Sequence, residues 1–261
     1  TALATRTWAA PPLFHRARDG SIELPDSTCS PLVKPWELLG ETRTPDGTLL
    51  ALTRRDREYV ILASGKSLMS SLMHGSEEAL ATIGCRRART IARPSVLVGG
   101  LGMGFTLRAT LDALPPEATV IVAELLPAVV EWNREALGPL ADHPLKDRRV
   151  NVIIGDVADT LTSSRGRFDA VLLDIDNGPD AFTATANDVL YSDAGVAAIR
   201  GALKSGGVVG VWSARDDRKF EQRLRYGGFD VDVERVRARQ KKGGPRHTIF
   251  LGYKRVADAR H

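Results

Sequence analysis

The segment "VLVGGLGMGFTL" (Val96–Leu107) decides the fold of this chain. Its first residues are apolar and suit a buried strand, and its last residues suit the first turn of a helix. Between them lie three alternating glycines, Gly100, Gly102 and Gly104. Glycine permits a tight turn and a close approach of the backbone where a Cβ would collide. The segment therefore predicts a strand, a glycine turn and a helix, with glycines that either contact a ligand or only pack the helix on the strand.

Strand and helix patterns continue to alternate along the chain after Ser95, which predicts a parallel sheet with helices on both faces. The end differs, because residues 229–238 and 247–255 are two successive strands and form an antiparallel hairpin at the sheet edge. We predict an α/β fold with a doubly wound, seven-stranded, mostly parallel sheet, Rossmann-like as in class I methyltransferases. The other predicted strands are 95–99, 119–123, 150–154, 169–173 and 207–212, and the predicted helices are 103–113, 126–137, 157–163, 190–204 and 216–226.

The amino-terminal part of the chain has a different pattern. Residues 1–30 are rich in Pro, Ala and Arg without periodicity, and they predict an arm that is poorly ordered or docked on the body. Residues 31–75 contain short apolar runs separated by turn signals such as Pro45-Asp46-Gly47, which predict a small antiparallel β-hairpin domain. The sheet domain is predicted over 76–261, with Ser76 as the cap of its first helix.

Composition narrows the function classes. In 261 residues with 43% hydrophobic content there is no run of 18 uncharged apolar residues, and no secretory signal pattern, so we expect a cytoplasmic protein. Cys29 and Cys85 have no CxxC spacing, and neither a disulfide nor a metal site is expected. The net charge is +4, but only residues 235–247 gather arginine and lysine densely. That segment has no aromatic residue for base stacking, so a nucleic-acid partner is not expected.

Glycines follow the first strand of the predicted sheet, and acidic residues follow the next two strands. All of them lie at carboxyl ends of strands, where open parallel sheets bind ligands. Glu124 can accept hydrogen bonds from both hydroxyls of a ribose, Asp156 can accept the exocyclic amine of adenine, and the Val157 amide can serve a ring nitrogen. Taken singly, Glu124 is better explained as an acid that starts a helix, and Asp156 as the N-cap of the helix at 157–163. The spacing of the two with the glycine turn predicts an adenosine site. The G-x-G-x-G pattern argues against NAD or FAD.

The fourth strand ends in "LLDIDNGPDAF", which brings Asp174, Asp176 and Asp180 to the same edge of the sheet. Such residues also serve turns. Asp174 closes a buried apolar run, so its backbone is expected to be well fixed. We predict Asp174 as the base that accepts a proton from an amine substrate, with Asp176 assisting.

Residues 95 to about 213 resemble the spermidine synthase (polyamine aminopropyltransferase) family. The family's glycine loop "GGGDGG" matches "GLGMGF" from Gly100, its ribose-binding glutamate matches Glu124, and its "GD" matches Gly155-Asp156. Its "DSxDP" matches "DIDNGP" from Asp174, and its "L-[FY]-S" followed by "L-x-x-G-G" matches Leu190-Tyr191-Ser192 and residues 203–207. The resemblance implies a transferase that binds an S-adenosylmethionine-type donor and a small-molecule amine, and that forms a homodimer.

The chain departs from this family where the family holds the donor tail and the amine. Met103 replaces the aspartate of the glycine loop, Trp212 replaces a glutamine, and Gly195-Val196 replaces an aromatic pair. The "YHE" segment has no clean match, although His74 and Glu77 lie in the corresponding region. His74, Glu77, Tyr191 and Trp212 are the candidate substrate-binding residues, with core packing as the alternative for the last two.

An aspartate in the glycine loop can pair with the ammonium of decarboxylated S-adenosylmethionine and repel the carboxylate of the intact compound. Met103 can do neither. We therefore expect intact S-adenosylmethionine as the donor and methyl transfer to an amine. Four alternatives stay open. The intact donor could transfer its carboxyl-bearing aminopropyl chain, or the decarboxylated donor could transfer an aminopropyl group, with Asp176 or Glu77 supplying the missing acid. The other two are a nicotinamide-dependent dehydrogenase and a non-catalytic nucleotide-binding or scaffold protein.

Overall fold

The structure, a computed structural model, describes residues 34–175, 189–239 and 244–255. The described residues from Trp36 onward form one compact unit. The predicted arm at residues 1–30 lies outside the described residues, as do Asp176 and Asp180.

The amino-terminal sheet has four antiparallel strands in the order β1-β2-β3-β4. Its turns lie where the sequence signals them, with Gly47 and Gly65 in the left-handed region that favours glycine. The predicted antiparallel unit is confirmed, while its separation from the rest as a domain stays a prediction. The strands are β1 (Glu37–Arg43), β2 (Leu49–Arg55), β3 (Glu58–Ala63) and β4 (Lys66–Ser70).

The second sheet has seven strands in the order β10-β11-β9-β8-β5-β6-β7. Strands β5 to β9 pair in parallel, and β11 is antiparallel to both β9 and β10. This confirms the predicted fold class, including the terminal hairpin at the edge. The strands are β5 (Ser95–Gly99), β6 (Thr119–Glu124), β7 (Val150–Ile154), β8 (Phe168–Leu173), β9 (Leu203–Ser213), β10 (Phe229–Arg237) and β11 (Arg246–Lys254).

Most of the helices follow the strands as predicted, with shifted ends. The helix predicted at 103–113 begins two residues later, because Gly104 takes a left-handed conformation at its N-cap. The helix predicted at 190–204 ends earlier, because Leu203 already starts β9. The helices are α1 (Gly75–Gly84), α2 (Phe105–Ala113), α3 (Pro127–Arg134), α4 (Val157–Ser163), α5 (Asp193–Ala202) and α6 (Arg218–Tyr226), with 3₁₀ turns at Ala88–Thr90, Gly138–Ala141 and Pro144–Lys146.

Side chains of the central strand β5 point alternately into two cores. Val96 and Val98 belong to one hydrophobic cluster, and Leu97 belongs to the other. All three are fully buried. Burying a side chain of this size contributes about 1.5–3 kcal/mol. A sheet buried on both faces leaves its strand ends as the place where polar residues can converge.

Helix α1 does not begin as the sequence predicts. It starts at Gly75 with His74 at the N-cap, and Ser76 lies inside the helix. The prediction of Ser76 as the cap is wrong because its hydroxyl donates to the side chain of Glu77 and does not accept a backbone N–H.

Replacing Gly100 with alanine is expected to destabilise the protein more than replacing Gly47. Both glycines have a left-handed φ, +86° and +87°, so both variants carry that strain. A Cβ on Gly100 would overlap the backbone carbonyl of Asp174, whereas a Cβ on Gly47 would meet no atom within 4 Å. Gly100→Ala should lose about 1–3 kcal/mol more than Gly47→Ala in the free energy of unfolding. Denaturant titration measures both, and equal losses would show that the two backbones are not in close contact at Gly100.

Candidate active site

A cavity of about 320 Å³ lies at the carboxyl ends of β5, β6 and β8. Its volume is in the range of small-molecule sites. Backbone atoms of the glycine turn and the predicted residues at the ends of the neighbouring strands line it together. These residues are Gly100, Gly102, Glu124, Asp156, Val157 and Asp174.

The glycine turn is fastened to β6 by hydrogen bonds. The Gly100 amide donates to the Ala123 carbonyl at 2.9 Å. The buried carboxylate of Glu124 accepts the Leu101 amide on one oxygen and the Leu126 amide on the other, each at 2.9 Å. A carboxylate oxygen has more than one acceptor position, so Glu124 can hold the turn and still accept hydrogen bonds from a ligand.

Asp156 caps helix α4. Its Oδ1 accepts the Ala158 amide at 2.8 Å, which is the structural alternative that the sequence left open. Asp156 and the adjacent Val157 also line the cavity. The cap fixes the direction of the carboxylate, and a ligand role for its second oxygen stays a prediction.

Two carboxylates from different elements face the same part of the cavity. Asp174 follows β8, and its backbone amide donates to the Gly99 carbonyl at 2.9 Å. The Thr106 hydroxyl on α2 donates to Asp174 Oδ2 at 2.5 Å. Glu77, on α1, also lines the cavity. Burial, and secondly the charge of Asp174, raise the pKa of Glu77 to about 7. A group with this pKa can give or take a proton at neutral pH.

A hydrogen-bond chain leads away from Glu77. The Ser76 hydroxyl donates to Glu77 Oε2 at 2.6 Å, and it lies 2.8 Å from Nδ1 of His247 on β11. The His247 ring meets Trp212 nearly edge-on, with ring centroids 4.7 Å apart. Burial lowers the pKa of His247. Trp212 and His247 both line the cavity, and a role of Trp212 in binding a substrate stays a prediction.

Three residues at the site were not predicted from the sequence: Thr106, Ser76 and His247. Each comes from a different stretch of chain, and their contacts arise from tertiary packing alone. His247 stood at the end of the basic segment 235–247, but nothing in that pattern indicated that its ring faces a serine of α1.

Other candidate residues lie away from the cavity lining. Met103 is buried in the hydrophobic core, so its side chain does not replace the family's aspartate as a cavity group. Gly104 packs beside Asn133, where a Cβ would come within 2.9 Å of the side-chain oxygen. The ring of Tyr191 is buried edge-on against Phe220.

The side chain of His74 contacts Phe105 and Glu78 and does not line the cavity. Its ring stacks on Phe105 with centroids 4.2 Å apart, and its Nδ1 lies 2.8 Å from Glu78 Oε1. The structure therefore separates the two "YHE" candidates and brings only Glu77 to the cavity.

Within residues 34–175, 189–239 and 244–255, no group of three or more His, Cys, Asp or Glu side chains could hold a metal ion. None of the helices in these ranges is long and apolar enough to cross a membrane.

The chain matches no known family profile. It is 28% identical over 113 residues to a polyamine aminopropyltransferase of Saccharolobus islandicus. The match covers 43% of this chain and spans 36% of the relative's length.

The solved structures most relevant to the site are spermidine synthases. The enzyme from Thermotoga maritima superposes with a TM-score of 0.65 at 18% identity, over 84% of this chain and 73% of that one. The chain has the spermidine synthase fold. A spermidine synthase in complex with the transition-state analogue AdoDATO gives 0.62 at 17% identity, again over 84% and 73%. A probable spermidine synthase from Corynebacterium glutamicum gives 0.57 at 16% identity, over 82% and 79%. The resemblance inferred from the sequence is confirmed.

Stability should fall as the pH rises from about 4.5 to about 7, because Glu77 holds its proton more tightly in the folded state than in the unfolded one. The effect is on the order of 2 kcal/mol, and Glu77→Gln should remove it. Denaturant unfolding of both proteins near pH 5 and pH 8 measures the difference, and other titrating groups cancel in the comparison. Identical pH dependence in the two proteins would contradict the burial of Glu77 beside Asp174.

Proposed function

We propose that the protein is a transferase that moves the aminopropyl group of decarboxylated S-adenosylmethionine to a small-molecule amine. The observation that carries the proposal is the charge of the cavity. Four carboxylates line it, and no lysine or arginine does among the described lining residues. A donor that ends in an ammonium and an acceptor that is itself an amine both suit such a site. The named activity of the polyamine aminopropyltransferase relative supports the same reading.

Methyl transfer from intact S-adenosylmethionine, our expectation from the sequence, has less support. That expectation rested on Met103 as the residue beside the donor tail, and Met103 lies in the core. Glu77 supplies an acid in the cavity from a different element. The carboxylate of intact S-adenosylmethionine would lie near Glu77 and Asp174 with no described basic partner other than His247, so the decarboxylated donor fits better.

The adenosine part of the donor is assigned to the ends of β5, β6 and β7. Glu124 would accept the ribose hydroxyls, Asp156 the adenine amine, and the Val157 amide would donate to a ring nitrogen. Gly100 and Gly102 have no side chain, so the backbone of the turn forms the cavity wall itself. The hydrogen bonds that Glu124 and Asp156 make to backbone amides hold them in place before a ligand arrives.

The bond to be made joins the acceptor nitrogen to the carbon next to the donor sulfonium, and the thioether leaves. The protein must hold the two groups in line and keep the nitrogen unprotonated. The Asp174 carboxylate would accept the amine proton, with Thr106 fixing one of its oxygens. Glu77, whose pKa lies at about 7, can share that proton. An assisting role for Asp176 stays a prediction.

Loss of the Glu124 or Asp156 carboxylate should weaken adenosine binding. We expect Glu124→Gln and Asp156→Ser to weaken the binding free energy of methylthioadenosine by about 1.5–3 kcal/mol per lost charged contact, which raises its Kd. Serine retains an N-cap oxygen for α4, so the Asp156→Ser variant should keep its fold. Glutamine can accept only one of the two backbone amides that Glu124 accepts, so thermal unfolding of Glu124→Gln is measured beside the titration to confirm that it is folded. Calorimetry measures the Kd, with Glu131→Gln as the control because Glu131 is an exposed residue paired with Arg134. Unchanged affinity in both site variants would remove the adenosine site from these strand ends.

The transfer itself is tested with decarboxylated S-adenosylmethionine and putrescine, with intact S-adenosylmethionine and NADH as competing ligands. We expect an aminopropylated product, tighter binding of the decarboxylated donor, and no binding of NADH. Asp174→Asn should lower kcat by about a hundredfold or more with little change in donor Kd. Methylated product, or tighter binding of intact S-adenosylmethionine, would overturn the proposal.

A further inference from the structure

The buried serine beside Glu77 connects the acidic part of the cavity to a histidine on another element. Ser76 Oγ lies 2.6 Å from Glu77 Oε2 and 2.8 Å from His247 Nδ1. Ser76 and Glu77 are adjacent residues of α1, and His247 lies on β11. Ser76 is fully buried, so its hydroxyl serves these two neighbours and does not contact a ligand.

A serine hydroxyl has one proton and can donate to only one of its two neighbours at a time. When Ser76 donates to ionised Glu77, its oxygen accepts a hydrogen bond from the protonated Nδ1 of His247. When Glu77 carries a proton and donates it to Ser76, the hydroxyl donates to an unprotonated Nδ1. The two arrangements differ in the position of one proton in the Glu77–Ser76 hydrogen bond and of one proton in the Ser76–His247 hydrogen bond. A change of protonation at Glu77 is therefore accompanied by a change of tautomer or charge at His247.

Ionisable groups from three elements surround Glu77 and determine how firmly it holds its proton. Asp174 faces it from the end of β8, Glu78 lies next to it on α1, and His247 reaches it from β11 through Ser76. Glu78 is itself paired with His74. His247 is half-buried, unlike Ser76, so it can exchange protons with solvent. Burial raises the pKa of Glu77 to about 7 and lowers the pKa of His247, so a proton that reaches His247 is readily released from it.

We propose that Ser76 and His247 are relay residues that carry the proton released by the acceptor amine from Glu77 out to solvent. The inference rests on the proposed transfer reaction, which releases one proton each time a carbon–nitrogen bond forms. The N–H bond of the amine breaks, the carboxylate pair of Asp174 and Glu77 takes the proton, and Glu77 passes it to Ser76 Oγ. Ser76 passes its own proton to His247 Nδ1, and His247 releases a proton from Nε2. Electrons and atoms balance without a further reactant.

The hydrogen-bond chain can be tested without any substrate. In ¹⁵N-labelled protein, the ring nitrogens of His247 should show a titration step shared with Glu77, and the His247→Asn variant assigns the signals. Ser76→Ala and Glu77→Gln should each abolish that shared step. The same pH curve for His247 in wild type and in Ser76→Ala would overturn the relay.

The relay is tested in turnover with decarboxylated S-adenosylmethionine and putrescine at low buffer concentration. Ser76→Ala and His247→Asn should lower kcat by about tenfold or more and leave donor Kd within about twofold, because proton removal and not binding is affected. Added imidazole should restore much of the lost rate by accepting the proton directly. Ser163→Ala is the matched control, since this helical serine on α4 bonds only to backbone carbonyls.

The outcomes separate the relay from the proposed function. Wild-type protein without transfer activity would overturn the proposed function, and the NMR result alone would then decide whether the hydrogen-bond chain exists. Active wild type with fully active variants would overturn the relay. A loss of kcat that imidazole does not restore would also overturn it, because such a loss shows only that the residues support the shape of the site.

Discussion

The site depends on how closely two backbones approach at the centre of the sheet. Gly100 leaves β5 in a left-handed conformation, and the place where its Cβ would stand is taken by the carbonyl of Asp174 at the end of β8. This contact brings the glycine turn and the acidic end of β8 together without any side chain between them. Glu124 then ties the turn to β6 through the Leu101 amide. Glu124, which we assign to adenosine binding, and Asp174, the proposed base, are thus both held against the glycine turn.

The cavity concentrates negative charge at a cost in stability. Glu77 is largely withdrawn from water and faces Asp174, and neither burial nor like charge favours an ionised carboxylate. The hydroxyls of Ser76 and Thr106 offset part of this cost by donating to Glu77 and Asp174. A cationic ligand would offset the rest, because it brings the missing opposite charge into the site. The same unfavourable charge that weakens the protein without a ligand therefore favours an amine over a neutral or anionic compound.

The sequence was sufficient for the sheet and for the residues that belong to its strand ends. Hydrophobic runs and glycine turns are local signals, and parallel pairing then fixes where Glu124, Asp156 and Asp174 converge. Side-chain direction within the glycine turn was not predictable in this way. Met103 was expected beside the donor, but the turn directs it into the core, which removes the reason for expecting intact S-adenosylmethionine.

Contacts between distant segments were also out of reach of the sequence. Ser76 has the residue type and position of a helix cap, and its actual partners, Glu77 and His247, depend on α1 packing against the hairpin at the sheet edge. Thr106 looked like an ordinary residue of a first helical turn. A local pattern cannot specify hydrogen bonds that form only after the two cores have assembled.

The helix cap made by Asp156 bears on how sequences related to this chain are interpreted. Its carboxylate caps α4, so selection for a stable fold would retain it even in a descendant that had lost its ligand. Glu77 has the opposite character, since burying it beside another acid gives the fold no benefit that a neutral residue would not give. Among distant relatives, an acid at position 77 is therefore the better marker of a working site, and an acid at position 156 records mainly shared ancestry.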